Sequence, residues 1–214
     1  MARGKGKGMK AERLVLHRGG RMRLKGQLHT HTTCSDGKLT PQEIVNVYKR
    51  MGFDFIAITD HDHLLKPRYQ DTIQGISSDL IVFLGIELTI RTSLGYVHVN
   101  EIQGDEEVLY TFNHPGDYGF SIKQTLACIE EVKRQVPVDA VEVSDHGFYT
   151  PEFDIDEIQY PKVASDDAHT RIACGRAWIE VDCGRNKDSI LRAIKEGDAA
   201  SCFVRGSGRA VVLA

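Results

Sequence analysis

Short apolar runs alternate with amphipathic stretches along this chain, and the two periods mark strands and helices. Arg13–His17 and Arg21–Lys25 flank Arg18-Gly19-Gly20. That arrangement predicts a hairpin, because paired glycines supply the positive φ of a tight turn. Thr40-Pro41-Gln42-Glu43 predicts a helix start: Thr40 caps, Pro41 suits the first helical position and Glu43 completes a capping box. Ile44, Val45, Val47, Tyr48 and Met51 form the apolar stripe of this helix, and Gly52 ends it. Phe53–Thr59 follows as a strand. Further strands are predicted at Asp79–Glu87, which ends in a carboxylate, and at Tyr96–Val99, Val108–Asn113, Ala140–Val143, Lys162–Ser165, Ala177–Val181 and Cys202–Val204. Helices are predicted from Ser121 to about Val136 and over Asp188–Glu196, the second stopped by Gly197. Strands alternating with helices through short connections predict parallel pairing and an α/β fold. No internal repeat or linker divides the chain. One domain over residues 10–214 is expected, preceded by a basic flexible tail at residues 1–9, rich in Gly and Lys.

A length of 214 residues allows one sizeable core. No apolar run approaches the ~18 residues of a membrane helix, and the basic N-terminus lacks the apolar segment of a secretory signal. No membrane partner is expected. Cys34, Cys128, Cys174, Cys183 and Cys202 are scattered, odd in number and form no C-x-x-C. They point to reduced thiols and a cytoplasmic setting. The net charge of −3 is unevenly placed: nine Lys/Arg and one Glu lie up to Lys25, against 18 Lys/Arg and 29 Asp/Glu beyond it. An acidic body suits a protein that holds divalent cations. The basic start is either a contact for nucleic acid or a solvated tail.

The chemistry concentrates at strand ends. In His29-Thr30-His31 the imidazoles are two residues apart, so in extended chain they share one face. Ser35-Asp36-Gly37 follows, and Thr59-Asp60-His61-Asp62 comes directly after the apolar run at residues 53–58. Taken alone, His29 and His31 are equally readable as surface histidines. However, ionisable residues recur at one strand end after another: His29 and His31, Asp60 and His61, Glu87, His114, Asp145 and His146, then Asp166, Asp167 and His169. In parallel α/β folds ligands bind beyond the carboxyl ends of strands. So many coincidences point to the rim of a metal site.

The ordered series Leu28-His29-Thr30-His31-Thr32, Ser35-Asp36-Gly37, Ile58-Thr59-Asp60-His61-Asp62, Gly85-Ile86-Glu87, Val97-His98, Asn113-His114-Pro115-Gly116 and Ser165-Asp166-Asp167-Ala168-His169 resembles the PHP (polymerase and histidinol phosphatase) family of metal-dependent phosphoesterases. H-x-H alone is weak; the whole series is specific and spans most of the chain. The resemblance implies a distorted TIM-like barrel of about seven β/α units, carrying the N-terminal hairpin as an extension. It also implies two or three divalent transition metals. The first would take His29, His31, Glu87 and Asp167. The second would share Glu87 and add His98 and His114, and the third would take Asp36, His61 and His169. Imidazoles and carboxylates without thiolate fit zinc, manganese or iron and do not select among them.

Three divalent cations outweigh three carboxylates, so the resemblance implies a positive pocket for a phosphate ester. The substrate would be a nucleotide, an oligonucleotide end or a small phosphomonoester. Hydrolysis would use metal-activated water, whose pKa falls from about 15.7 towards about 7 on a single zinc. Glu87, Asp167 and His63 are the expected catalytic residues, with His63 protonating the leaving oxygen or simply holding its loop. His146 and Arg171 are candidate substrate contacts, or else an exposed loop histidine and a surface arginine. Asp60, Asp62 and Asp166 read as orienting residues, Cys34 as a bystander in the metal loop, and His17 as a hairpin surface residue. Two other classes remain: a non-catalytic metal-binding module, disfavoured by the complete ligand set, and an amide or lactone hydrolase on a related metal barrel.

Overall fold

The computed structural model describes residues 21–204 and 210–213. Its elements in chain order are β1 Met22–Gln27, α1 Pro41–Arg50, β2 Phe55–Ile58, α2 Tyr69–Gln74, β3 Ile81–Thr92, β4 Gly95–Gln103, β5 Val108–Phe112, α3 Ile122–Val132, β6 Ala140–Glu142, β7 Ser144–Asp145, β8 Phe148–Tyr149, β9 Lys162–Val163, β10 Ala177–Cys183, α4 Lys187–Lys195, β11 Ala199–Val204 and β12 Ala210–Leu213. The first arm expected for the N-terminal hairpin, its Gly19-Gly20 turn and the tail at residues 1–9 lie outside the described residues; β1 covers the stretch expected as the second arm and pairs with β10 and β2.

Ten strands form one sheet in the order β12-β11-β10-β1-β2-β3-β4-β5-β6-β9. The sheet curls until β9 meets β11, where Ser201 Oγ donates to the Lys162 carbonyl at 3.4 Å. The result is a nearly closed α/β barrel. Pairing is parallel across β1-β2-β3 and β5-β6-β9, but antiparallel across β3-β4-β5 and from β1 through β10 to β12. Parallel pairing, expected from the alternation of strands and helices, thus holds in two blocks and not across the rest of the sheet. The reason is connection length. β3 and β4 are joined by Ser93 and Leu94 alone, with Thr92 opposite Gly95 and Gly95 at φ +126, whereas a parallel neighbour needs a crossover of a dozen residues or more. β3 therefore runs on to Thr92, and Glu87 sits inside the strand opposite Asn100 instead of ending it. Among the described residues there are four α-helices. α1, α2 and α3 are crossovers between parallel strands, and α2 is an element that the sequence pattern did not announce.

The helix starts follow local chemistry. In α1, Thr40 Oγ1 accepts from Glu43 N at 3.3 Å and Glu43 Oε2 accepts from Thr40 N at 2.8 Å. Ser121 and Gln124 repeat the arrangement at α3. Ile44, Val45 and Tyr48 of α1 pack on Ile56, Ile58 and Trp178 outside the barrel. Inside it, Leu24, Phe55, Phe83, Leu109 and Ile179 form a core into which α4 places Ile190, Leu191 and Ile194. One end of the barrel is thereby plugged with apolar side chains, and the polar residues collect at the other. The interior is tight. A Cβ on Gly26 would lie 1.9 Å from the fully buried Phe55 ring, so Gly26→Ala should destabilise the fold by about 1–3 kcal/mol. A lower urea midpoint at unchanged slope checks this.

Candidate metal centre

Backbone pairing beyond the strand ends sets the site. Past β1, Thr30 bridges Ala168 in parallel, His31 N donates to the Ala168 carbonyl at 3.1 Å and Thr59 N donates to the Thr30 carbonyl at 2.9 Å. His29 and His31 flank this anchored residue and turn to the same side, their Nε2 atoms 3.0 Å apart. His61, just past β2, bridges Glu87 of β3. β4 runs the other way, so its beginning reaches the rim where the parallel strands end, and this delivers His98. His114 follows β5, and Asp167 and His169 follow β9. Asp36 sits in a loop closed by Ser35 N and Gly37 N, which donate to the Thr32 carbonyl at 3.1 and 2.9 Å. Three residues of this rim hold positive φ without being glycine: His114 at +25, His146 at +47 and Asp167 at +46. Such conformations cost about 1–3 kcal/mol each and cluster where surrounding structure enforces them.

All nine residues of the expected ligand set come together, and Glu87 is their centre. Its Oε1 lies 3.2 Å from His29 Nε2 and 3.3 Å from both His98 Nδ1 and His114 Nε2. Its Oε2 lies 2.9 Å from His61 Nδ1 and 3.3 Å from His31 Nε2. Asp167 Oδ1 lies 3.3 Å from His29 Nε2 and 3.0 Å from His31 Nε2. Asp36 approaches His169 Nε2 at 3.4 Å and His61 Nε2 at 3.8 Å. The donor atoms form overlapping groups: His29-His31-Glu87, His29-His114-Asp167, His61-Glu87-His98 and His31-Asp36-His61-His169. His31 and His61 thus stand between neighbouring groups.

Part of this proximity is not hydrogen bonding. Glu87 Oε2, Asp167 Oδ1, His61 Nδ1 and His98 Nδ1 are buried without a hydrogen-bond partner. A buried unsatisfied polar atom costs about 1–3 kcal/mol. Several of them converging from six imidazoles and three carboxylates fit a set of divalent cations, which would take nitrogen and oxygen donors at this spacing.

Charge coupling is strong with only protein groups acting. Burial opposes charge on His29, but Glu87 and Asp167 overcome it and lift its pKa well above the ordinary range. His31 is lifted to about 9, its burial outweighed by Asp167 and Glu87. Burial likewise opposes ionisation of Glu87 and Asp167, yet His29 and its neighbours hold both carboxyls well below their usual range. His98 is different: burial pushes it down to about 4, and burial together with His31 lowers His169.

Other buried groups fix these donors. Asp60 accepts from Thr32 N at 2.7 Å, Thr32 Oγ1 at 2.6 Å and Ser35 Oγ at 2.5 Å, which ties down the Asp36 loop. Asp166 accepts from Tyr48 OH, Arg176 N and Ala177 N, each at 2.7 Å. Asp62 accepts from Thr89 N at 3.0 Å and Thr89 Oγ1 at 2.9 Å. The sequence reading passed over two further groups. Asn113 Nδ2 donates to Glu87 Oε1 at 2.9 Å. Glu142 Oε2 accepts from His114 N at 3.0 Å and lies 3.4 Å from His29 Nδ1. The available signal was Glu142 itself, a carboxylate inside the apolar run of residues 140–143.

The candidate substrate contacts lie at the rim. His146 is exposed, with Nδ1 3.2 Å from Asp167 Oδ2; that contact raises its pKa to about 9 against some burial. His63 is exposed, its Nδ1 3.2 Å from both Asp62 Oδ1 and Thr89 Oγ1. Arg171 is exposed in the loop after His169. The Cys34 backbone N–H donates to Thr32 Oγ1 at 3.0 Å, and Cys34 belongs to the apolar cluster packed by α1.

A family model for the PHP domain matches residues 27–166, and one described as PHP-associated matches residues 155–199. The 5'-3' exoribonuclease Rnm of Salmonella typhimurium is 31% identical over 99 residues, which cover 46% of this chain and 32% of that protein. Its Escherichia coli counterpart is 35% identical over 75 residues, covering 34% and 25%. The chain therefore spans a third or less of these relatives. A two-domain protein from Bacteroides vulgatus, described as containing a predicted PHP-like metal-dependent phosphoesterase, superposes with a TM-score of 0.66 at 20% identity, over 92% of this chain and 70% of that one. An amidohydrolase from Chromobacterium violaceum gives 0.53 at 13% identity, over 68% and 87%. These two likenesses show a shared fold. The PHP model spans more than half of the sequence, from the end of β1 to the residues after β9, and the chain belongs to the PHP domain family.

Proposed function

We propose that this chain is a metal-dependent phosphoesterase. It hydrolyses a phosphate ester at a centre of two or three divalent transition metal ions, zinc, manganese or iron. One observation carries the reading: six imidazoles and two further carboxylates gather around the buried, partly unsatisfied carboxylate of Glu87. His29, His31, Glu87 and Asp167 would hold one ion, with Glu87, His98 and His114 beside it and Asp36, His61 and His169 completing the centre. Bound cations supply an activated water at neutral pH and neutralise charge on phosphoryl oxygens. The residues of the chain do the positioning. Glu87 and Asp167 set the charge and spacing of the cluster. His146, exposed at the rim with Nδ1 3.2 Å from Asp167 Oδ2, would meet a phosphate oxygen there. His63 has its Nδ1 held by Asp62 and Thr89, and as the imidazolium it would give the proton on Nε2 to the leaving oxygen. Arg171, exposed in the loop after His169, would meet a second phosphate.

The substrate is a nucleotide, an oligonucleotide end or a small phosphomonoester, and the exoribonuclease relatives support the first two. The complete ligand set speaks against a binding module that has lost catalysis. The test is metal analysis of purified protein with a parallel screen of phosphate esters. Two or three transition ions per chain are expected, with turnover abolished by chelation and restored by manganese or zinc. Uptake of metal at pH 7 should also release protons to the buffer, because His29 and His31 shed protons to become ligands. Less than one ion per chain would sink the proposed centre. Full metal content with no ester cleaved would favour the binding module, and amide or lactone turnover alone would favour the third class.

A further inference from the structure

Beside the centre, β7 and β8 form a two-residue hairpin in which Ser144 pairs with Tyr149 and Asp145 with Phe148. Both turn residues take positive φ, His146 at +47 and Gly147 at +80, as tight hairpin turns require. The turn is held on both sides. His146 Nδ1 lies 3.2 Å from Asp167 Oδ2. Gly147 packs so closely on Arg176 that a Cβ there would meet Arg176 Cβ at 2.6 Å. Arg176 Nη1 in turn donates to the His146 carbonyl at 3.4 Å. The next residue, Phe148, is 64% exposed, and the guanidinium of Arg176 lies under its ring, 5.2 Å from the centroid. Among the described residues the Arg176 guanidinium forms no ion pair with a carboxylate. A rigid turn thus presents a solvent-facing aromatic ring, backed by a cation, two residues along the chain from a histidine that touches the metal cluster. Two extended residues span at most ~7 Å, which is on the order of the reach from a phosphate to the base of its own nucleotide.

We infer that Phe148, supported by Arg176, is a stacking platform for the nucleobase next to the scissile phosphate. The substrate class is then a nucleotide or an oligonucleotide end and not a base-free phosphomonoester. The inference rests on the phosphoesterase reading for its chemistry but on the hairpin for its selectivity. Stacking on an aromatic ring tolerates every base, so the platform contributes affinity for nucleotides without sequence preference. Arg176 adds attraction for the neighbouring phosphates of a longer strand.

The test compares the metal-loaded wild type with Phe148→Ala, Phe148→Leu and Phe148→Trp. Substrates are adenosine 5'-monophosphate, a short 5'-phosphorylated RNA and ribose 5-phosphate. For the nucleotide and the RNA, kcat/KM should fall roughly tenfold in the Ala and Leu variants, the size of one lost base–aromatic stack. It should be kept in the Trp variant, and all variants should match wild type on ribose 5-phosphate. Saturation-transfer NMR provides a readout without turnover: the adenine protons should receive saturation from the wild type and lose it in Phe148→Ala. Loss of rate on ribose 5-phosphate equal to that on the nucleotide overturns the inference, as does unchanged kcat/KM on the nucleotide. If no ester is cleaved, the phosphoesterase reading fails. The NMR contrast then still decides the platform, standing with Phe148-dependent saturation and falling without it.

Discussion

Replacing Glu87 by Gln is expected to empty more than one metal position at once. The carboxylate is fully buried, and its two oxygens face five imidazoles between 2.9 and 3.3 Å. An ionised carboxylate buried without compensation is costly, so a charge placed here implies cations to meet it. Gln keeps the shape and one carbonyl oxygen. It loses the charge that would screen neighbouring cations from one another, and it turns an N–H₂ towards imidazoles that offer lone pairs to metal. Two of the overlapping donor groups contain Glu87, and both should weaken together. Turnover should fall by much more than the roughly 10–100-fold that loss of an outer partner costs. The barrel should stay folded, because the Glu87 side chain faces the imidazoles and its strand pairing with Asn100 is made by the backbone. Metal stoichiometry, rate and circular dichroism measured on this one variant decide the matter. Normal metal content with near-normal turnover would remove the bridging role and, with it, most of the proposed centre.

Much of this was legible in the sequence because it is local. The Thr40-Pro41-Gln42-Glu43 box, the glycines after α1 and α4, and the spacing of His29 and His31 are each decided by a few neighbouring residues. What failed to show is pairing direction. Glu87 reads the same whether a strand stops there or continues. The continuation was written in the apolar positions Leu88 and Ile90 and in the two-residue turn before Gly95, which forces an antiparallel return. His98 owes its place to that return: on a parallel strand the same residue near the strand start would face the α4 end of the barrel. The positive φ of His114, His146 and Asp167 was also invisible, because these residue types give no backbone signal comparable to glycine. The nine expected donors were found through the order of their motifs, whereas their overlap, with His31 and His61 each shared between groups, depends on side-chain packing that spacing does not encode.

Glu142 is the clearest group passed over, and changing it should loosen the centre from behind. It is buried and accepts from His114 N at 3.0 Å, from Ser144 Oγ at 2.9 Å and from Ser165 Oγ, while one oxygen lies 3.4 Å from His29 Nδ1. A carboxylate that accepts from Nδ1–H leaves Nε2 of His29 with its lone pair free, and Nε2 is the atom that faces Glu87 and Asp167. This is how a partner behind a ligating histidine sets its tautomer and basicity. In Glu142→Gln a carbonyl oxygen in the place of Oε2 can still accept from the His114 N–H and from His29 Nδ1–H, with the amide N–H₂ towards the serine hydroxyls on the other side. What is lost is the negative charge behind His29, and with it the basicity that the carboxylate lends to Nε2. Metal affinity should drop about 10–100-fold with the fold intact. Glu142→Ala should add a loss of stability of about 2–4 kcal/mol, since it strands a buried N–H and two hydroxyls. Metal titration with a parallel urea melt separates the two effects. Wild-type metal affinity in Glu142→Gln would show that the charge of Glu142 adds nothing to His29 as a ligand, and that Glu142 serves only the packing between β6 and the residues after β9.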